Sequence, residues 1–104
     1  MTPAYVVANV QFTRPDKAQE YGRAVPSTIE KFGGRYLARG GTAEVAEGQW
    51  QLRYVTILEF PSLERAKQWY ASEDYGRLRS IRLEHAQSDI AFVEGLAIEP
   101  AQRV

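Results

Sequence analysis

The chain has 104 residues, which is the length of one domain, and its 13 Lys and Arg residues balance 13 Asp and Glu residues. Hydrophobic residues make up 44% and charged residues 25%, values typical of a folded globular domain rather than a disordered chain. The lack of cysteine excludes disulfides, thiolate nucleophiles, iron–sulfur clusters and cysteine zinc sites, and a single histidine excludes a histidine-cluster metal site. A net charge of zero indicates neither a nucleic-acid partner nor an anionic membrane partner.

No segment approaches the roughly 20 apolar residues of a membrane-spanning helix. The apolar run at residues 5–8 also lacks the basic flank and cleavage motif of a secretory signal. The sequence therefore predicts one cytoplasmic domain over residues 1–104, in which residues 96–104 form a tail. No bound metal or cofactor is expected.

The first third of the chain predicts a strand followed by a helix. Residues 4–12 alternate between apolar and mixed positions, which is typical of a strand with one face on a core. Pro15 and Asp16 suit a first helical turn, and apolar residues then recur at spacings of three and four as far as Phe32. Pro26 lies inside this pattern and is expected to kink or split the helix. A glycine pair at 33–34 is expected to end it.

Two strands are predicted next. Residues 35–39 form a short one, with Tyr36 and Ala38 on one face and Arg39 on the other. Residues 42–51 are polar and predict a hairpin arm with a mobile loop. Residues 52–60 are rich in Val, Ile, Tyr and Thr, and their apolar positions predict a central strand that is covered on both faces.

The last third predicts a broken helix and a final strand. Ser62 is expected to cap one helix, residues 72–74 restart a second, and residues 89–94 alternate as a strand. The resulting order, β-α-β-β-α-β with the second helix broken, is that of the ferredoxin-like split βαβ. The predicted fold is therefore α+β, with a four-stranded antiparallel sheet and its helices on one face.

The other face of this sheet is predicted to be apolar. It would carry Val7, one face of the strand at 52–60 and part of the last strand. Because a soluble monomer rarely exposes such a face, we expect a homodimer that packs sheet against sheet. The pocket would then lie between the sheet and the helices or between the two sheets.

Several motifs resemble a known family. They are the segment 33–41 (Gly-Gly-Arg-Tyr-Leu-Ala-Arg-Gly-Gly), the segment 58–62 (Leu-Glu-Phe-Pro-Ser), Ala66, Trp69-Tyr70, Ser72, Tyr75 and Val93-Glu94-Gly95. Together they resemble the small bacterial family known as domain of unknown function 1330, from Tyr5 to Gly95. The resemblance implies a dimeric α+β barrel of ferredoxin-like protomers and implies no activity. The wider dimeric α+β barrel group includes cofactor-independent monooxygenases, lactone isomerases and haem-binding enzymes, which is a similarity of fold only.

Two residues are candidates for proton transfer. His85, near the end of the last helix, would act as a general base or bind haem; the alternative is a histidine favoured by the helix C-terminus. Glu59 lies in an apolar strand, where burial would raise its carboxyl pKa and suit it to proton transfer. The alternative for Glu59 is an ordinary ion pair, for instance with Arg53.

Four residues are candidates for binding. Asn9 would hold a ligand carbonyl or enolate, although a cross-strand or dimer-interface hydrogen bond explains it equally well. Arg39 would bind a carboxylate through its two-pronged guanidinium, with ion pairing on the hairpin as the alternative. Tyr5 and Tyr70 would contribute hydroxyls. Trp69, Tyr70 and Tyr75 are expected mostly in the core, with the hydroxyls of Tyr70 and Tyr75 able to reach a pocket. The arginines at 77, 79 and 82 are expected mostly in solvent.

These features predict a small-molecule-binding protein that acts on an oxygenated, aromatic or carboxylated compound. An enzyme of this kind would be a cofactor-independent oxygenase or isomerase. It would use His85 or Glu59 as base, and Arg39 or Asn9 would stabilise an oxyanion. The alternative is a non-catalytic dimeric ligand-binding or stress-associated module.

Overall fold

The computed structural model describes residues 2–97, so positions 98–104 of the predicted tail lie outside the described residues. The fold has the predicted ferredoxin-like α+β order, with the second helix broken into two. Its elements are β1 (Ala4–Phe12), α1 (Pro15–Lys31), β2 (Arg35–Arg39), β3 (Tyr54–Phe60), α2 (Leu63–Ala71), α3 (Glu73–His85) and β4 (Ala86–Glu94).

The sheet is antiparallel throughout, with the strand order β2-β3-β1-β4. Val6 on β1 lies opposite Leu58 on β3 and Phe92 on β4, and this face of the sheet packs against the helices. Period-2 alternation thus directs one set of side chains into the core. The buried core comprises Val6, Val25, Ile29, Leu58, Phe60, Ala66, Trp69, Tyr75 and Leu78.

Helix α1 is one uninterrupted helix of 17 residues, so the predicted splitting at Pro26 is wrong. Proline has no backbone N–H, and the carbonyl of Gly22 one turn earlier therefore lacks its helical donor. Nη2 of Arg39 donates to that carbonyl oxygen at 2.8 Å. On either side of Pro26, Val25 and Ile29 are buried in the core and hold the helix in place.

Two serines cap the helices α2 and α3, and Ser72 separates the two helices, as predicted. Ser62 precedes α2, and its hydroxyl accepts a hydrogen bond from the backbone N–H of Arg65 at 3.1 Å. Ser72 ends α2 in an extended conformation and caps α3 by accepting from the N–H of Tyr75 at 3.2 Å. Each cap satisfies a backbone donor that the helix itself leaves free.

The predicted faces of β2 are wrong for Arg39. Tyr36 pairs with Leu58, but Ala38 pairs with the adjacent Ile57, so the register shifts between Tyr36 and Ala38. This β-bulge gives β2 one extra residue and rotates everything beyond it to the opposite face. Arg39 consequently lies on the helix-facing side, the side that Tyr36 occupies.

The loop before β3 also differs from the prediction. Residues 41–53 contain no strand, and β3 begins at Tyr54 rather than at residue 52. The side chain of Asn9 hydrogen-bonds to the backbone of this loop. Its Oδ1 accepts from the N–H of Arg53 at 2.6 Å, and its Nδ2 donates to the carbonyl of Gln51 at 2.8 Å. The predicted hairpin arm is thus replaced by an exposed loop.

The last strand is longer than predicted, because β4 begins at Ala86, three residues before the predicted start at 89.

The outer face of the sheet carries apolar side chains between two ion pairs. Val7 and Val93 are 36% and 47% exposed there. The flanking pairs are Arg35–Glu59 at 2.9 Å and Arg53–Asp89 at 3.7 Å, so the partner of Glu59 is Arg35 and not the predicted Arg53.

Among residues 2–97, no helix is long and apolar enough to cross a bilayer. The same residues contain no group of three or more histidine, aspartate or glutamate side chains that could hold a metal ion.

Substitution of Gly34 is predicted to overpack the core. A Cβ at Gly34 would lie 2.6 Å from Phe60 Cε1 and 2.8 Å from Ile29 Cγ2, whereas a Cβ at Gly41 meets nothing within 4 Å. We therefore expect Gly34→Ala to lower the free energy of unfolding by about 1–3 kcal/mol in urea titrations, because the core is overpacked. Gly41→Ala is the matched control and should be near neutral. Equal stability of the two variants would contradict this packing.

Candidate functional site

A cavity of about 720 Å³ lies between the helix-facing side of the sheet and α1. Most of its lining is apolar or aromatic: Val6, Ala8, Val10, Phe12, Ala18, Val25, Ile29, Leu52, Leu58, Trp69 and Ile90. Its polar groups come chiefly from four tyrosines (Tyr21, Tyr36, Tyr54, Tyr75), Thr56 and Arg39. This size and this composition, apolar walls with a few polar groups, are typical of small-molecule sites.

Arg39 brings a cationic side chain to the exposed edge of the cavity. The bulge in β2 directs it there, and its Nη2 donates to the Gly22 carbonyl at 2.8 Å. Its guanidinium carbon also lies 4.6 Å from the centre of the Tyr36 ring, a distance at which a cation–π contact is favourable. The two contacts hold the planar guanidinium between α1 and β2. Its remaining N–H groups are available to a ligand.

Another part of the cavity wall has a hydrogen-bonded chain of three side chains, which we call the relay: Tyr21, Tyr75 and Arg82. The hydroxyl oxygens of Tyr21 and Tyr75 are 2.5 Å apart. Nε of Arg82 donates to the Tyr75 hydroxyl at 3.2 Å from behind. Tyr21 and Tyr75 line the cavity, whereas Arg82 is 2% exposed and contributes no surface to it.

The environment keeps Tyr21 and Arg82 of the relay protonated. Burial raises the pKa of Tyr21, and the neighbouring Tyr75 hydroxyl raises it further. Burial by itself lowers the pKa of Arg82, but its interactions with the hydroxyl of Tyr75 outweigh this, so the net direction is upward. At neutral pH Tyr21 is therefore a neutral hydroxyl and Arg82 a cation. On the sheet side, burial likewise raises the pKa of Tyr36.

The predicted binding residues are distributed over both faces of the sheet. Arg39 lines the cavity. Tyr70 lies behind the relay, with its hydroxyl 3.5 Å from Nη2 of Arg82, and does not line the cavity. Tyr5 and Asn9 lie on the outer face, where Tyr5 is opposite Glu59 and Asn9 holds the loop before β3.

The two predicted proton-transfer residues also lie away from the cavity. Glu59 is on the outer face in its ion pair with Arg35. His85 ends α3, and its Nε2 is 3.8 Å from the carboxylate of Glu84. Its backbone carbonyl accepts from the N–H of Thr13 at 2.8 Å. Among residues 2–97, the cavity lining includes no histidine, aspartate or glutamate.

Sequence reasoning missed the relay as a unit, although it allowed the Tyr75 hydroxyl to reach a pocket. The apolar periodicity of the helices placed Tyr21 and Tyr75 in the core, and both rings do pack there: their centres are 6.2 Å apart. Arg82, predicted to be solvated with Arg77 and Arg79, is instead buried. A signal was available, because Arg82 follows Tyr75 by seven residues, which is two helical turns and hence the same face of α3.

Removal of the Tyr75 hydroxyl is expected to destabilise the protein. Tyr75→Phe takes one acceptor from a buried guanidinium, and the free energy of unfolding should fall by about 1–3 kcal/mol. Tyr54→Phe is the control, because its ring is 53% exposed and its hydroxyl makes no hydrogen bond within residues 2–97. Urea denaturation of both variants is the measurement. A Tyr75→Phe protein as stable as the Tyr54→Phe protein would contradict the proposed cost.

Comparison with solved structures supports the same fold. RPA0582, a protein of unknown function from Rhodopseudomonas palustris, has a TM-score of 0.71 at 20% identity and covers 93% of this chain and 85% of its own. SnoaB, a cofactor-independent oxygenase from Streptomyces nogalater, has a TM-score of 0.66 at 10% identity, with coverage of 96% and 99%. A hypothetical protein of Arabidopsis thaliana has a TM-score of 0.67 at 12% identity, with coverage of 95% and 93%.

These structural likenesses establish the ferredoxin-like α+β fold and nothing finer, because sequence identity is 20% or lower. No curated protein matches the sequence. The model of a domain of unknown function, DUF1330, matches residues 3–96, which is nearly all of the described chain. The chain therefore belongs to the DUF1330 family.

Proposed function

We propose that the protein binds a small aromatic carboxylate in the cavity between the sheet and α1. The observation that carries the proposal is the guanidinium of Arg39 at the edge of a cavity with mostly apolar and aromatic walls. The other guanidinium of the lining, that of Arg53, pairs with Asp89. The carboxylate of the ligand would accept hydrogen bonds from Arg39. Its ring would occupy the space between the strands and α1.

The state of Arg39 supports a carboxylate as the ligand group. Among residues 2–97, Arg39 takes part in no ion pair, and its hydrogen bond is to the carbonyl of Gly22. A guanidinium has five N–H donors in a fixed plane, and two of them can bind a carboxylate side by side. Stacking on Tyr36 and the bond to Gly22 preorganise this plane, which lowers the entropic cost of binding.

The walls support an aromatic ligand body. The cavity is lined by the partly exposed rings of Phe12, Tyr21 and Tyr36, and aliphatic side chains of β1 and β3 complete the apolar surface. Offset or edge-to-face stacking adds to the gain from burial alone. An aliphatic acid would obtain the contact with Arg39 without this stacking. We therefore expect aromatic acids to bind more tightly than aliphatic acids of similar size.

The catalytic form of the proposal is an oxygenase or isomerase that needs no cofactor. SnoaB is a cofactor-independent oxygenase on the same fold. In the present cavity, Arg39 and the tyrosine hydroxyls would stabilise negative charge on a substrate oxygen. His85, Glu59 and Asn9 would act only on a ligand outside this cavity. The alternative is a non-catalytic binding module, which would return its ligand chemically unchanged after prolonged incubation.

Affinity for para-coumarate, an aromatic carboxylate, tests the binding proposal. Arg39→Gln should raise the Kd measured by calorimetry about tenfold to hundredfold, because a hydrogen bond to a charged group is lost. Arg35→Gln is the matched control, since Arg35 lies on the same strand and on the outer face. An equal loss of affinity in both variants, or no binding by the native protein, would contradict the proposal.

We further propose that the outer face of the sheet binds a second copy of the chain. Val7, Val55, Ile57 and Val93 form its apolar centre, and within residues 2–97 no helix covers them. The ion pairs Arg35–Glu59 and Arg53–Asp89 form a polar rim. An apolar centre within a polar rim is the usual composition of a protein interface, and two-fold symmetry would bring the same patch from each copy together.

Sedimentation velocity tests the homodimer. We expect the native protein to sediment as a dimer at micromolar concentration, and Val7→Glu to sediment as a monomer because it would bury a charge at the interface. Leu83→Glu, at a position that is 62% exposed on α3, is the control and should remain dimeric. A native protein that is monomeric at this concentration would refute the proposal.

A further inference from the structure

We infer that the Tyr21 side of the cavity is an oxyanion subsite, in which Arg82 acts through Tyr75 to make the Tyr21 hydroxyl a strong donor to a phenolate or enolate oxygen of the ligand. The inference rests on the proposed function, since it requires a ligand in this cavity. It narrows the ligand class to aromatic carboxylates that carry a second, ionisable oxygen. Arg39 would bind the carboxylate and Tyr21 the other oxygen.

The first support is the unusual position of the Arg82 charge. Its side chain is 2% exposed, and among residues 2–97 it forms no ion pair with a carboxylate. Its partners are hydroxyls: Tyr75 at 3.2 Å, Ser88 at 2.5 Å and Tyr70 at 3.5 Å. The C-terminal turn of α3 offers only a partial negative charge. A buried cation without a full counter-charge is costly, and an anion bound nearby would offset that cost.

The second support is the direction of the hydrogen bonds. A guanidinium can only donate, so the oxygen of Tyr75 accepts from Arg82. This polarises the O–H bond of Tyr75 and makes it a better hydrogen-bond donor, and the oxygen of Tyr21 is 2.5 Å away. Once Tyr21 accepts from Tyr75, its own proton is free to point into the cavity. Each bond polarises the next, so the charge of Arg82 strengthens the donor that a ligand meets.

The third support is that Tyr21 remains a donor. Burial raises the pKa of its hydroxyl, so it keeps its proton at neutral pH. The other charged or titratable groups that line the cavity are Tyr36, Arg39, Arg53 and Tyr54. Of these, Arg53 pairs with Asp89, and Arg39 is assigned to the carboxylate. No acidic side chain of residues 2–97 lines the cavity to repel an anionic oxygen.

Spectrophotometric titration of bound para-coumarate tests the inference, because its phenolate absorbs at longer wavelength than its phenol and than protein. At the pH where half of the free probe is ionised, we expect at least about tenfold more phenolate than phenol in the native complex. Tyr21→Phe should abolish most of this excess while the ligand still binds through Arg39. Tyr75→Phe should reduce it, provided that the variant folds.

Two matched variants separate the subsite from the binding site. Tyr5→Phe removes a tyrosine hydroxyl on the outer face of the sheet, outside both the cavity and the relay, so the phenolate excess should persist. Arg39→Gln should weaken binding, yet the ligand that is bound at saturation should keep its excess of phenolate.

The outcomes distinguish the two proposals. Binding without a phenolate excess, or an excess lost in Arg39→Gln and kept in Tyr21→Phe, overturns the oxyanion subsite and leaves the proposed function standing. No binding of the probe to the native protein overturns both.

Discussion

The hydrogen bond from Arg39 to the Gly22 carbonyl joins strand β2 to helix α1 and orients a guanidinium at the edge of the cavity. Pro26 leaves that carbonyl without a helical donor, and backbone carbonyls in folded proteins rarely lack a hydrogen-bond partner. The bulge in β2 delivers the guanidinium that satisfies it. A proline that would ordinarily weaken a helix thereby fixes the position of the cation that the proposed ligand would bind at the cavity edge.

Two arginines at or near the cavity, Arg39 and Arg82, hold their positive charges in different environments. Arg39 is exposed, is oriented by a carbonyl and an aromatic ring, and keeps donors free for a ligand. Arg82 is buried, and its N–H groups donate to the hydroxyls of Ser88 and Tyr75, of which Tyr75 lines the cavity. The first arrangement suits direct recognition of a carboxylate, and the second suits stabilisation of charge that the ligand can gain or lose.

Much of the architecture was predictable because local rules and global packing agree. The alternation of β1, the serine caps of α2 and α3, and the apolar stripe of α1 each predicted an element that the structure contains. The bulge was not predictable, because nothing in residues 35–39 shows which residue is extra until the strand is paired with β3. That one-residue shift reversed the face assigned to Arg39.

The site was harder to predict than the fold, for a related physical reason. Periodicity identifies which side chains point inward but not which polar atoms meet there. Tyr21 and Tyr75 are 54 residues apart, and their hydroxyls meet only after α1 and α3 pack together. Conversely, Asn9 and Glu59 are polar residues in apolar strands, a pattern that suggests chemistry. Asn9 shapes a loop, and Glu59 forms an ion pair on the outer face.

The most direct test of this account is a crystal structure of the native protein with para-coumarate. We expect electron density for the ligand between the sheet and α1, with its carboxylate at hydrogen-bonding distance from the Arg39 guanidinium and its phenol oxygen at hydrogen-bonding distance from the Tyr21 hydroxyl. Density for the ligand on the outer face of the sheet, or in the cavity with no contact to Arg39, would contradict it.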